Sequence, residues 1–136
     1  MMVRCPCCNA RLQQAIVCPR CRAELIKLMS AEKSAELWLS MAMQLLLANQ
    51  VEKSCIAIKK SLRLKTTKTA IVFCEFLIDQ QSKLVLELLL KAQVLSAKKT
   101  LYQVRLLNPQ SRRLQQLADF TDYLLLKESC RKSNIL

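Results

Sequence analysis

The spacing of the cysteines near the N-terminus is the feature that most constrains how this chain folds. Five of its eight cysteines lie within "CPCCNARLQQAIVCPRC", residues 5–21. Two residues separate Cys5 from Cys8, two separate Cys18 from Cys21, and nine connect the pairs. Two residues between ligands let one tight turn direct both sulfurs at a single ion. The spacing therefore predicts a four-thiolate metal site made by Cys5, Cys8, Cys18 and Cys21.

Zinc is the metal that this ligand set favours, because Zn²⁺ prefers four tetrahedrally placed thiolates. An iron centre is the alternative, although nothing in the sequence provides for redox partners. Four protein ligands leave no open position for water or substrate, so we predict one structural zinc ion. The segment is too small to have much core of its own, and the metal should supply folding free energy on the order of 10 kcal/mol.

Each cysteine pair has a proline after its first cysteine, Pro6 and Pro19, which fixes φ and favours the turn. The stretch resembles a rubredoxin-type zinc ribbon, whose paired knuckles have the sequence CPxC. Such knuckles often place glycine just after the second cysteine, but this chain has Asn9 and Arg22 there. Asparagine tolerates the left-handed conformation better than arginine does. We therefore expect a regular first knuckle and a distorted second one.

Cys7 lies inside the first knuckle and either competes as a ligand or remains a solvent-facing thiol. We favour the second interpretation, because Cys5 and Cys8 keep the spacing of the other pair. Disulfides or buried thiols are the alternative explanation for the whole cluster. Disulfides suit secreted proteins, whereas the segment "MMVRCPCC" lacks the apolar run of a signal peptide. A reducing, cytoplasmic setting is expected.

The chain contains neither histidine nor glycine, which excludes many catalytic arrangements. A Ser-His or Cys-His pair, a glycine-rich phosphate loop and a dinucleotide-binding fingerprint all need one of these residues. We therefore expect a protein that is not an enzyme and has no small-molecule substrate. The leucine-rich stretches 36–48 and 84–95 are too short to span a bilayer. They are interpreted as buried helices, with no membrane association.

The rest of the chain is predicted to be helical, because no proline occurs between Ser30 and Pro109 and good helix formers dominate. The fold class is therefore mostly α, with a zinc ribbon in residues 1–29, a helical domain in 30–128 and a frayed tail in 129–136. Ser30 is expected to cap the first helix, and residues 69–79 to form a separate helix. The first helix is expected to turn an apolar stripe inward, formed by Leu37, Met41, Leu45 and Ala48.

Two stretches of the helical region are similar to each other, 43 residues apart. The first, residues 35–66, resembles a tetratricopeptide repeat, a unit of about 34 residues with two antiparallel helices. Its matching residues are Trp38, Ala42, Leu45, Asn49, Val51, Ser54, Ile58, Leu62 and Leu64. The second copy is degenerate, with Gln81 in place of the tryptophan. Because the chain lacks glycine, Asn49 and Asn108 are expected to end helices in the left-handed conformation.

The repeat resemblance implies a stack of helical hairpins whose concave surface binds a protein partner, a peptide or a helix. Our first hypothesis is therefore a protein-protein interaction adaptor, with exposed partner-binding residues at Ser40, Gln44, Lys83 and Glu87. The alternative is a nucleic-acid-binding or transcription-associated zinc-ribbon protein that uses a basic helix face. That face comprises Lys53, Lys59, Lys60 and Arg63. The net charge of +12 favours nucleic acid, but the charge is spread along the chain.

Overall fold

A computed structural model describes residues 2–134 and confirms the prediction of a mostly α fold. In this part of the chain, regular structure consists of five helices and two isolated β-bridges. The helices are α1 (Ile26–Leu47), α2 (Val51–Leu64), α3 (Lys68–Leu90), α4 (Val94–Arg105) and α5 (Arg112–Ser133). The chain divides into two compact units, Met1–Ile71 and Val72–Leu136. None of the described helices is both long and apolar enough to cross a membrane.

Helix α1 begins earlier than the sequence suggested. It starts at Ile26, so Ser30 lies within its first two turns and the predicted Ser30 cap is wrong. Leu25 occupies the N-cap position without a side-chain hydrogen bond, because the chain enters α1 directly from the cysteine-rich segment. A serine cap does occur at α5, where the Leu114 N–H donates to Ser111 Oγ at 3.5 Å. The helical region is thus continuous with the cysteine-rich segment.

Helices α1 and α2 pack closely through small side chains. Ala35 and Ala42 are buried on α1, and Ser54 and Ser61 are buried on α2. The Ser54 hydroxyl donates to the Ala42 carbonyl, and the Ser61 hydroxyl donates to the Ala35 carbonyl, each at 2.7 Å. Small residues at both crossings let the two backbones approach within reach of these hydroxyls. The hydrogen bonds satisfy polar groups that would otherwise be costly to bury.

This contact overturns the predicted core face of α1. Leu37 is 70% exposed, Met41 is 46% exposed, and Ala48 is also exposed. Only Leu45 of the predicted stripe is partly buried. The alanines face α2 because close packing requires small residues, which leaves larger apolar side chains on the solvent side of α1.

An ion pair joins the beginning of α1 to the residue that ends α2. The Lys65 ammonium donates to the Glu32 carboxylate, and Glu32 is buried. This hydrogen bond lowers the pKa of Glu32, although burial opposes the shift. The pairing keeps the buried Glu32 carboxylate ionised. It also joins the first turns of α1 to the C-terminal end of α2.

The turns after α1 and after α3 are alike. Asn49 has φ 59° and Ala92 has φ 58°, both in the left-handed region. In each turn, this residue and the glutamine after it donate their N–H groups back to the preceding helix, as in a Schellman motif. The equivalent bonds reach Leu46 and Leu45 in the first turn, and Leu89 and Leu88 in the second. The 43-residue similarity therefore extends to backbone conformation.

Asn108, by contrast, does not adopt the predicted left-handed conformation. Its side chain instead accepts a hydrogen bond from the Gln110 N–H at 3.2 Å, which forms an Asx turn. The left-handed conformation occurs instead at Ala92, which the 43-residue similarity aligns with Asn49. The hydrogen bonds of the turn, rather than the residue type, thus decide where the left-handed conformation occurs.

The second unit is built from α3, α4 and α5 around one apolar core. The buried residues of this core are Val85, Ala97, Leu101, Val104, Leu114 and Ala118. Helix α3 is continuous, so residues 69–79 do not form the separate helix that was predicted. Asp79 pairs with Lys83 at 2.8 Å and with Arg113 at 3.2 Å, which lowers the pKa of its carboxyl. These pairs connect α3 to α5 on the surface of the core.

Helix α5 continues to Ser133, into the segment predicted as a frayed tail. Arg131 and Lys132 lie in its last turn, where positive charge is favourable to the helix dipole. Residues 135 and 136 of the predicted tail lie outside the described residues. The helical region is therefore longer at both ends than the sequence indicated.

Candidate metal centre

The cysteine-rich segment folds as two short hairpins, each held by one isolated antiparallel bridge. The first bridge joins Arg4 to Arg11, and the second joins Val17 to Glu24. The two hairpins use equivalent backbone hydrogen bonds. The Cys5 N–H donates to the Ala10 carbonyl at 2.8 Å, and the Cys18 N–H donates to the Ala23 carbonyl at 3.0 Å. Each hairpin places a Cys-x-x-Cys turn at its tip.

The residue after each second cysteine is left-handed, with φ 60° at Asn9 and φ 56° at Arg22. Each donates its N–H to the carbonyl of the first cysteine of its pair, at 2.9 Å in both knuckles. The distortion expected at Arg22 is therefore absent from the hydrogen bonding of the second knuckle. The left-handed conformation costs an arginine about 1–2 kcal/mol. Arg22 adopts it nevertheless, because the hairpin hydrogen bonds determine the backbone conformation there.

A small core lies beneath the two knuckles. Leu12 and Leu25 are buried together with Cys5 and Cys18. The leucines are thirteen residues apart, as are the cysteines, because "CPCCNARL" and "CPRCRAEL" are two copies of one pattern. This thirteen-residue repeat, which was not predicted above, identifies Leu12 and Leu25 as equivalent core residues.

The four predicted cysteines come together at the tips of the knuckles. The Sγ atoms of Cys5 and Cys21 are 3.6 Å apart, and those of Cys8 and Cys18 are 3.5 Å apart. All four sulfurs lie within 4.8 Å of one another. A tetrahedron with Zn–S bonds of about 2.3 Å has edges of about 3.8 Å, whereas a disulfide bond is about 2.05 Å long. The arrangement can bind a metal ion.

Backbone N–H groups make this cluster receptive to a cation. The N–H groups of Cys21 and Arg20 hydrogen-bond to the Cys18 sulfur and, against the effect of burial, lower the pKa of that thiol to about 6. Burial raises the pKa of Cys5, but the N–H groups of Cys8 and Cys7 outweigh it and lower the pKa overall. The thiolate is the form that coordinates metal.

Cys21 is shifted in the opposite direction. The Ala23 N–H lowers its pKa, but desolvation and hydrogen bonds with the neighbouring thiols outweigh this and raise the pKa to about 12. Four thiols this close cannot all ionise unless a cation compensates their charge. A metal ion bound by the four sulfurs would supply that compensating charge.

The other cysteines of the described residues lie outside this cluster, and none of the eight forms a disulfide. Cys7 is exposed, and desolvation together with the adjacent Cys5 raises the pKa of its thiol. Cys55 and Cys74 are buried in helices, and Cys130 is exposed on α5. The exposure of Cys7 agrees with its interpretation as a spare thiol, and the buried Cys55 and Cys74 are core residues.

The residues predicted for partner binding are all exposed. Ser40 and Gln44 lie on the same face of α1 as the exposed Leu37 and Met41. In the second unit, Lys83 and Glu87 lie one turn apart on α3, and Lys83 pairs with Asp79.

The residues predicted for the nucleic-acid alternative lie along α2. Lys53, Lys60 and Arg63 are exposed, and Lys59 is half-buried. The Lys60 ammonium lies 4.4 Å from the centroid of the Trp38 ring, within the range of a cation–π interaction. This contact occupies one face of the only tryptophan in the chain.

No protein-family model matches this chain, and neither a curated protein nor a solved structure is significantly similar to it. The resemblances to a zinc ribbon and to a tetratricopeptide repeat therefore depend on the residues described above.

Proposed function

We propose that this chain is a non-enzymatic protein-protein interaction adaptor with one structural zinc ion held by Cys5, Cys8, Cys18 and Cys21. The zinc assignment is supported by four sulfurs within 4.8 Å of one another, two pairs of which, at 3.6 and 3.5 Å, are close to the edge of a zinc tetrahedron. A four-thiolate zinc ion has no open coordination position, so its role is to stabilise the ribbon.

The observation that carries the adaptor proposal is the apolar solvent face of α1. Leu37 and Met41 lie one turn apart and are exposed, and Ser40 and Gln44 flank them. The opposite side of the helix, marked by Ala35 and Ala42, is used for packing against α2. Exposed apolar residues bordered by polar ones are typical of a protein interface.

A second candidate function, nucleic-acid binding, is favoured by the basic residues of α2. Lys53, Lys60 and Arg63 are exposed on this helix. Two observations favour the adaptor instead. The Lys60 ammonium covers a face of Trp38, which reduces the surface on which a base can stack. The positive charge of the chain is also spread along its length.

Affinity capture from the native host, with and without nuclease, tests the proposal. The adaptor hypothesis predicts a partner that survives nuclease and is lost when both Leu37 and Met41 are replaced by aspartate. Charge reversal at Lys59, Lys60 and Arg63 should leave this partner bound. A matched control, Leu95→Asp, alters another highly exposed leucine. If every partner disappears with nuclease, or the α1 variant captures the same partners as the control, the adaptor hypothesis is wrong.

Salt dependence separates the two functions further. Phosphate contacts release counterions, so nucleic-acid affinity should fall roughly a thousandfold between 50 and 200 mM salt if about six contacts form. Docking on an apolar face depends much less on salt. We therefore expect only weak, salt-sensitive and sequence-independent binding to DNA or RNA. Tight, sequence-selective binding at physiological salt would support the second candidate.

A further inference from the structure

A groove lies where the second knuckle meets α1, separate from the metal-binding sulfurs. It has a volume of about 340 Å³ and is lined by Ile16, Ile26, Met29, Ser30, Lys33 and Ser34. Five of these residues lie on one face of α1, and Ile16 comes from the second hairpin. Its volume is near the lower limit of about 300 Å³ for small-ligand sites, which suits a few apolar side chains better than a cofactor.

Half of the groove lining is apolar, and the fold leaves two of these apolar side chains open to solvent. Ile26 is 59% exposed and Ile16 is 52% exposed, although both are large aliphatic residues. Ile26 occupies the first position of α1, where more than half of its side chain is in contact with solvent. Exposed aliphatic residues that converge on one groove mark a docking surface.

The ribbon core holds one wall of this groove in place. The Leu25 N–H donates to the Ile16 carbonyl at 2.8 Å, and the Met29 N–H donates to the Leu25 carbonyl at 2.9 Å. Leu25 is buried with Cys5 and Cys18, and Met29 packs against the same cluster. Loss of the metal-bound knuckles would therefore release Ile16 and loosen the contacts of Met29.

The net charge of the compact unit that contains the groove indicates the kind of partner. Residues 1–71 contain twelve basic and four acidic side chains, a net charge of +8 that a four-thiolate zinc centre reduces to +6. Among the acidic residues, Glu32 is held by Lys65. Lys33 is the charged residue in the groove lining. A partner with negative charge beside its apolar residues complements this surface, whereas a basic partner is repelled.

We propose that this groove binds apolar side chains of an acidic, amphipathic helical segment of a partner protein, and that the bound metal is required for this docking. The inference rests on the adaptor function and deepens it, because it names the partner class and couples the metal centre to recognition. Apolar residues one turn apart on the partner helix would enter the groove. Its acidic residues would face Lys33, within a unit of net positive charge.

A displayed library of helical peptides of about 16 residues, panned on the zinc-loaded full chain, tests this inference. We expect enriched peptides that are acidic and carry apolar residues at i, i+3 or i+4, and i+7. The best peptide is then measured by fluorescence anisotropy. Ile26→Asp should weaken the affinity for this peptide roughly tenfold or more, as expected for the loss of a central apolar contact. Removal of the metal with a chelator should have an effect of similar size.

Matched controls separate docking from general effects. Ile56→Asp changes an isoleucine of similar exposure on α2 and should alter affinity by less than about twofold. Lys33→Glu should weaken binding of the acidic peptide more than Lys68→Glu does. The proposed docking site is wrong if the enriched peptides are basic or if no peptide is enriched. It is also wrong if the two isoleucine variants lose affinity equally. Binding that survives chelation would overturn the metal requirement.

Failure of this inference is distinguishable from failure of the adaptor function. A nuclease-resistant native partner that tolerates Ile26→Asp but is lost with the Leu37 and Met41 variant would exclude the groove and keep the adaptor. Duplex DNA and single-stranded RNA are measured with the same variants. Tight binding of either at physiological salt that is weakened by Ile26→Asp would assign the groove to nucleic acid and overturn the proposal.

Discussion

The ribbon and the α1–α2 hairpin belong to one compact unit but are held together by different means. In the described part of the ribbon, the core cluster has four buried residues, two of which are cysteines, with partly buried residues packed against it. The hairpin buries small residues along two helices and adds cross-helix hydrogen bonds from Ser54 and Ser61. We expect a segment with so little apolar core to depend on a bound metal for its stability, whereas a helical hairpin gains its stability from packing.

The two regions also encode their folds differently. Ribbon geometry depends on four cysteines at fixed spacing, so single substitutions there should have all-or-none effects on metal binding. Hairpin geometry depends on many side chains that each contribute a modest amount. This difference between the two regions would be disproved if metal removal melts the helices, or if helix substitutions release the metal.

The largest effect is expected from the ligands. Purified protein should hold about one zinc ion per chain, and Cys18→Ser should abolish its retention, because three thiolates bind zinc less well. Cys7→Ser is the matched control, since Cys7 is exposed and lies outside the four-sulfur cluster. Metal content measured by mass spectrometry distinguishes them. Equal loss in both variants would show that Cys7 is a ligand.

Chelation should separate the regions within the intact chain. We expect the ribbon to unfold, with little change in the far-ultraviolet circular dichroism of the helices. Trp38 is the only tryptophan and lies half-buried on α1, so its emission reports on the hairpin and should also change little. A collapse of helicity on chelation would mean that ribbon and helices share one cooperative core.

Sequence reasoning succeeded where spacing itself carries the chemistry. The four cysteines came together as predicted because two-residue gaps fit a metal knuckle. It failed where a backbone contact overrides local preference. Arg22 adopts the left-handed conformation because hairpin hydrogen bonds require it, and Leu37 is exposed because close packing at Ala35 and Ala42 leaves no room for leucine. Side-chain size at a helix crossing is not evident from apolar periodicity.

Overpacking the helix crossing should disturb the hairpin and leave the metal in place. Ala42 is fully buried beside Ser54, so Ala42→Leu should destabilise the protein by roughly 1–3 kcal/mol. The exposed Ala48 provides the control, because Ala48→Leu adds the same atoms without a packing conflict. Thermal unfolding followed by circular dichroism, together with zinc content, measures both effects. Loss of zinc in the Ala42 variant would show that the crossing supports the ribbon.

The smallest effect concerns the two equivalent helix turns, which differ in their left-handed residue. Asn49 tolerates this conformation, whereas Ala92 at φ 58° has a Cβ that makes it unfavourable. Ala92→Gly should therefore stabilise the protein by roughly 0.5–1 kcal/mol in denaturant unfolding, despite the greater freedom of glycine in the unfolded chain. Asn49→Gly should gain less. Ala48→Gly is the control, because Ala48 has an ordinary φ of −79°, and this substitution should destabilise the protein. A similar destabilisation by Ala92→Gly would contradict the proposal that Ala92 is strained.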